Sequence, residues 1–266
     1  MKHKAILIIS LLLNFPLFSQ TNITKIDSIK IINGSSISHD GLGNLYVITP
    51  TNDIIKYDFK GKLIATVNNK VLGNISWIDA SNPFEIYVFF RDQNKLLLLD
   101  NLLNQLSIID FESIGISQIA CISRSFDNQI WLFDMADFKL KKYSKDLKLI
   151  LESAPFNLLP NFKQINPTQI SDFNSGLYIL NKNQIFEFDI FGNYNKMVFS
   201  DTLISFQKYE HMIAFTKNNQ LLLFDTQNFK ISSIPLATPN LVKDIRIVKN
   251  RIYILTDEYV ILQPLQ

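Results

Sequence analysis

Apolar residues in this chain fall in short runs that repeat. A strand-like triplet centred on an aromatic occurs at Leu45-Tyr46-Val47, Ile86-Tyr87-Val88, Ile130-Trp131-Leu132, Leu177-Tyr178-Ile179 and Ile252-Tyr253-Ile254, with a degenerate copy at Met212-Ile213-Ala214. The central residues are 41, 44, 47, 35 and 40 positions apart, the length of a four-stranded repeat unit. A second run follows each triplet: Ile54–Asp58, Leu96–Asp100, Leu140–Ser144, Ile185–Asp189, Leu221–Asp225 and Tyr259–Leu262. In four of these six an Asp closes the run and opens a turn, as at Asp58-Phe59-Lys60-Gly61 and Asp189-Ile190-Phe191-Gly192, which are hairpin signals. The second unit shows all four strands, at Ile75–Ile78, Ile86–Phe90, Leu96–Leu99 and Leu106–Ile109. Helical periodicity is weak, and runs rich in Ile, Leu, Phe and Tyr suit buried strands.

The two ends of the chain fit each other. The last unit supplies Asp244–Val248, Arg251–Leu255 and Tyr259–Leu262 and then stops, one strand short. The segment Ile23 to Ile32 is one strand too many. Pairing it with the last unit completes six sheets and leaves no open edge. A seventh unit would need about 40 further residues, and an open β-solenoid would leave the missing strand unexplained.

Two stretches carry a resemblance. Asp40-Gly41-Leu42-Gly43-Asn44-Leu45-Tyr46-Val47 is similar to the blade signature of six-bladed β-propellers of the NHL, YWTD and TolB-like kind, and Phe126-Asp127-Asn128-Gln129-Ile130-Trp131-Leu132 resembles propeller repeats of sensor proteins. The resemblance runs as a pattern along the mature chain, strongly in two units. It implies an all-β, six-bladed propeller of four-stranded antiparallel blades, closed by the N-terminal strand. It implies no particular activity, because propellers host many.

The segment Ser153 to Pro167 departs from the repeat and carries three prolines, which disfavour helix and central strand. Two readings stand: a long inter-blade loop whose Phe156, Leu158, Leu159 and Phe162 pack onto the propeller, or a partner-facing loop with Phe156, Leu159 and Phe162 as contacts. Arg91 and Arg246 join that contact set, because Arg is enriched at interface hot spots; the competing reading makes them solvated surface residues. The loops between second and third strands share a face with this segment in a propeller, and that face is expected to bind.

The first 19 residues stand apart. Lys2 and Lys4 precede an apolar run from Ala5 to Leu13, and Pro16, Leu17 and Ser19 follow. This is the layout of a secretory signal peptide, with cleavage after Ser19 and residues 20–266 as one domain. The run is shorter than the roughly 18 residues of a spanning helix, no Cys stands at the boundary for a lipid, and no later stretch is apolar enough to span a membrane. The expected location is periplasmic or secreted. Loss of Lys2 and Lys4 leaves 24 basic and 24 acidic residues, so no basic field exists to hold nucleic acid. The lone cysteine, Cys121, lies in an apolar run and reads as an inert buried thiol. Hydrophobic residues make up 47% and charged residues 19%, below the usual charged share of about 25%, so the chain has a core to fold around without disulfides.

Little catalytic chemistry is visible. His39 and His211 fall in turns of different units, without ligand spacing, and read as solvated. The innermost strands are expected at Ser36–Ser38, Ile75–Ile78, Ile119–Ser123, Thr168–Ser171, Ile204–Phe206 and Ile245–Ile247. They bring Ser, Thr, Gln and Arg246 to a central channel, with Asp79 and Asp172 just beyond, which is no carboxylate cage. There is no GxSxG and no phosphate-binding loop. The expectation is a binding or scaffold module without catalytic residues, metal or cofactor, docking a protein component of the cell envelope. The alternative is a metal-dependent hydrolase or lyase at the channel mouth, acting on a carbohydrate or lactone.

Overall fold

The computed structural model describes residues 27–31, 33–159, 162, 164–173, 176–203 and 205–265; residues 1–19, expected to be a signal peptide, lie outside them. The strands, in chain order, begin with β1 (Asp27–Lys30). The first blade follows as β2 (Ser36–His39), β3 (Leu45–Ile48), β4 (Asp53–Tyr57) and β5 (Leu63–Asn68). The second is β6 (Trp77–Asp79), β7 (Ile86–Phe90), β8 (Lys95–Leu99) and β9 (Gln105–Asp110). The third is β10 (Ile119–Arg124), β11 (Ile130–Asp134), β12 (Lys139–Tyr143) and β13 (Leu149–Glu152). The fourth is β14 (Pro167–Phe173), β15 (Gly176–Asn181), β16 (Gln184–Phe188) and β17 (Tyr194–Ser200). The fifth is β18 (Gln207–Tyr209), β19 (Met212–Lys217), β20 (Gln220–Asp225) and β21 (Ile231–Pro235), and the sixth is β22 (Asp244–Val248), β23 (Arg251–Leu255) and β24 (Tyr259–Pro264).

Each blade is a four-stranded antiparallel sheet, and β1 completes the sixth by pairing with β24, Asp27 opposite Leu262 and Lys30 opposite Tyr259. The chain is a six-bladed β-propeller closed by its N-terminal strand. Among the described residues, no helix is long and apolar enough to cross a membrane.

The core lies between the blades, because each sheet is covered on both faces. Along β7, Ile86, Val88 and Phe90 pack toward the first blade with Tyr46, Ile48 and Ile54, while Tyr87 and Phe89 pack toward the third with Ile122, Ile130 and Leu132. All five β7 residues are buried, so alternation of apolar and polar residues disappears. The Asp turns form for a local reason. Asp58 Oδ1 accepts from the backbone N–H of Lys60 and Lys62, and Asp189 Oδ1 from Phe191 and Asn193, at 2.8–2.9 Å.

Side chains stitch neighbouring inner strands together around the channel. Gln169 donates Nε2 to the Phe206 carbonyl at 2.6 Å and accepts from Phe206 N–H at 3.0 Å. Gln207 makes the same pair with Ile247, both at 2.7 Å, and Asp244 accepts from Ile37 N–H at 3.0 Å. Strand pairing corrects two inner strands. In the fifth blade the strand is Gln207–Tyr209, paired with β19 from Gln207 opposite Ala214, rather than the expected Ile204–Phe206, of which Ile204 lies outside the described residues. In the second it is Trp77–Asp79, starting two residues later than Ile75.

Candidate functional site: the channel mouth and its loop face

Register fixes which residues ring the channel. Opposite the second-strand aromatic, or its equivalent, stand Ser38 (Tyr46), Asp79 (Tyr87), Ser123 (Trp131), Ser171 (Tyr178), Gln207 (Ala214) and Arg246 (Tyr253). In the degenerate fifth blade it is thus Ala214, rather than Ile213, that takes the aromatic's place. The residues one step on are His39, Ala80, Arg124, Asp172, Lys208 and Ile247. Most of both sets line a cavity of about 500 Å³.

The second set reaches back to the preceding blade. Arg124 places its guanidinium carbon 3.6 Å from the centre of the Tyr87 ring. It is buried, and its Nε lies 3.2 Å from Asp79 Oδ2 and its Nη1 3.4 Å from Glu85 Oε2. Asp172 Oδ2 accepts from Trp131 Nε1 at 3.2 Å, from the Ser125 hydroxyl at 2.7 Å and from Phe126 N–H at 3.2 Å. Lys208 lies 5.0 and 5.2 Å from the centres of the Phe173 and Tyr178 rings and donates to the Glu210 carbonyl. Burial holds its pKa below the ordinary lysine value, against the distant charges of Glu187 and Asp225.

His39 is not a solvated turn residue. It ends β2 and its Nδ1 is buried without a hydrogen-bond partner. Burial lowers its pKa; the nearby Arg246 adds to that, while the Asp40 backbone, Asp79 and the Asp40 charge oppose it. His211 does lie in a turn, half-exposed, with Nε2 3.6 Å from Asp225 Oδ2. Burial pushes the Cys121 thiol up to about 12, so it is no nucleophile near neutral pH. Among the described residues, no three His, Cys, Asp or Glu side chains are grouped to hold a metal.

The contact residues expected from sequence separate. Phe156 is fully buried, stacked on Phe188 at 4.9 Å and edge-on to Phe133 at 4.8 Å. Phe162 is buried against Phe186 at 4.2 Å, and Leu159 packs half-buried beside them. The packing-loop reading therefore replaces the partner-contact reading for Phe156 and Phe162: an aromatic cluster between blades 3 and 4 has taken them inside. Arg91 is exposed on the face of the second-to-third-strand loops. Arg246 is in the channel wall, its Nη1 2.5 Å from Asp244 Oδ1 and 2.6 Å from the Ile245 carbonyl; it is neither a solvated surface residue nor part of the loop that holds Phe156.

The opposite face carries what the sequence reading did not single out. First-to-second and third-to-fourth strand turns both emerge there. Their tips hold Phe59, Phe84, Phe126, Phe191 and Phe229, between 59% and 70% exposed, in five different blades. Leu42 and Leu102 stand exposed among them. The channel mouth with Arg124, Asp172 and Lys208 opens on this same face, and Phe126 borders it.

No protein-family model matches the chain, and no curated protein matches it by sequence. Solved structures do match. A streptogramin B lyase structure aligns with a TM-score of 0.63 at 14% identity, over 90% of this chain and 97% of that one. The WD40 domain of Neurospora crassa Pan2 aligns with a TM-score of 0.62 at 11% identity, over 88% and 90%. The WD40 propeller domain of Doa1 aligns with a TM-score of 0.59 at 12% identity, over 86% and 77%. Identities this low carry the propeller fold and nothing about activity.

Proposed function

We propose that this chain is an exported, non-catalytic β-propeller that docks a protein partner through the face bearing Phe59, Phe84, Phe126, Phe191 and Phe229. The observation that carries the reading is the placement of an exposed phenylalanine at a loop tip of five blades, all on one face. Exposed aromatics gathered on one surface are costly in water and typical of interface centres. The charges between them are of mixed sign and locally paired, as in Lys145–Glu85 and Lys142–Asp127, which suits a protein surface better than a polyanion. Export, and an envelope component as the partner, rest on the signal-like sequence of residues 1–19. A metal-dependent hydrolase would need converging carboxylates, yet Asp79 is held by Arg124, and Asp172 by Ser125 and Trp131.

The test is crosslinked capture of the protein from its native envelope in three forms. One is unaltered; one carries serine at the five phenylalanine tips; one carries serine at Val71, Leu158 and Leu241, exposed on the other face. A stoichiometric partner lost only from the five-tip variant supports the reading. A partner lost only from the Val71/Leu158/Leu241 variant moves docking to the other face. N-terminal sequencing of the purified protein, expected to start at Gln20, tests export.

A further inference from the structure

The molecule contains two copies of one arrangement, and only one is complete. In the first, between blades 2 and 3, the Arg124 guanidinium lies on the Tyr87 ring and meets two carboxylates, Asp79 opposite Tyr87 in the sheet and Glu85 two residues before it. In the second, between blades 4 and 5, Lys208 lies on the Tyr178 ring at the position equivalent to Arg124. Here both carboxylates are missing. The residue opposite Tyr178 is Ser171, and the residue two before it is Gly176. A side chain at Gly176 is sterically shut out, because a Cβ there would come within 2.5 Å of the Phe188 carbonyl oxygen.

Lys208 is 8% exposed and, among the described residues, ion-paired to none. The Ser171 hydroxyl likewise has no hydrogen-bond partner among them. Both line the cavity, next to Phe173 and Phe206. A buried cation left without its counter-charge costs stability, and the cost is recovered when an anion arrives. The neighbouring Asp172 is directed toward blade 3, where its Oδ2 accepts from Ser125, Phe126 and Trp131.

We propose that the step between blades 4 and 5 binds the carboxylate group of a small organic acid. Lys208 Nζ and the Ser171 hydroxyl hold the carboxylate in the place that Asp79 and Glu85 fill in the complete copy, and Phe173 and Phe206 form the apolar wall. The site opens on the phenylalanine face but uses none of the five phenylalanine tips, so either can fail alone.

Calorimetric titration of the protein with acetate, succinate and benzoate tests this, with benzamide as the neutral twin of benzoate and inorganic phosphate as an anion of another shape. At least one acid should bind saturably at one site, with benzamide silent and phosphate weaker. Lys208→Met should weaken binding at least about tenfold, the effect of losing one charged hydrogen bond. Ser171→Asp should weaken it as much, by supplying the missing carboxylate from within, and it decides the matter should Lys208→Met fail to fold. Absence of saturable binding by all three acids overturns the proposal. So do equal binding of benzamide, phosphate as tight as the best acid, or unchanged binding by a folded Ser171→Asp.

Discussion

Tyr87 and Tyr178 stand in the same place in their blades, each with a cation laid on its ring by the next blade. A cation over an aromatic face in a buried setting is worth about 2 kcal/mol, so these pairs tie blade to blade while Arg124 and Lys208 also line the channel. Phe156 shows the same economy of position. It lies inside an aromatic cluster with Phe133, Phe162, Phe186, Phe188 and Tyr194, while Leu158, two residues on, is 76% exposed. Phe156→Ala should lower unfolding free energy by about 3–5 kcal/mol and Leu158→Ala by under about 0.5 kcal/mol, read from urea denaturation midpoints. Equal costs would place Phe156 outside the core. His39 gives a pH signature. Its folded-state pKa lies below the ordinary value of 6.5, so the unfolded chain binds the proton more readily. Its contribution is therefore complete above pH 6.5 and is lost as pH falls below that value. Thermal melts between pH 7.5 and pH 5 should show that loss, and His39→Gln should reduce the slope; an unchanged slope would remove His39 as its source.

At the scale of the strand and turn, apolar runs that are buried on both faces explain why β7 reads as unbroken Ile-Tyr-Val-Phe-Phe. In four blades the turn between third and fourth strands is set by a single carboxylate, that of Asp58, Asp100, Asp189 or Asp225. Burial alone would raise the pKa of Asp189, but hydrogen bonds from Asn193, Phe191 and Gly192 outweigh it and bring the value below the usual carboxylate range. Asp189→Ala should cost about 1 kcal/mol through the lost turn bonds. That cost should shrink as pH falls through the carboxylate range, since the bonds favour the ionised form. A pH-independent cost would point to packing instead. These elements were legible because turn chemistry and strand periodicity are local. The bounds of the fifth inner strand were not, because its pairing with β19 starts at the polar Gln207, opposite Ala214, and not at the apolar residues before it.

Across the whole molecule, closure depends on four residues of β1. They cover the edge of β24 and bury Ile29 in the interface between the last and first blades. A chain beginning at Ser35 should expose that edge, lower the melting temperature and self-associate, as size-exclusion chromatography would show; a monomer melting as before would mean the ring does not need β1. The sequence by itself determined the six units, their four-stranded pattern and the borrowed strand, because each follows from repeat length, apolar periodicity and a count of strands at the two ends. It also exposed the polar make-up of the channel. Only the tertiary structure decided which loop aromatics go inside. Phe156 and Phe162 sit in a proline-bearing loop and Phe59 and Phe191 in tight turns, and nothing in a loop's composition says whether a neighbouring blade will cover it. Nor did the sequence show that Lys208 lacks a counter-charge. Lys208 lies 30 residues beyond Tyr178 and 37 beyond Ser171, and it meets that pair only because one blade packs against the next.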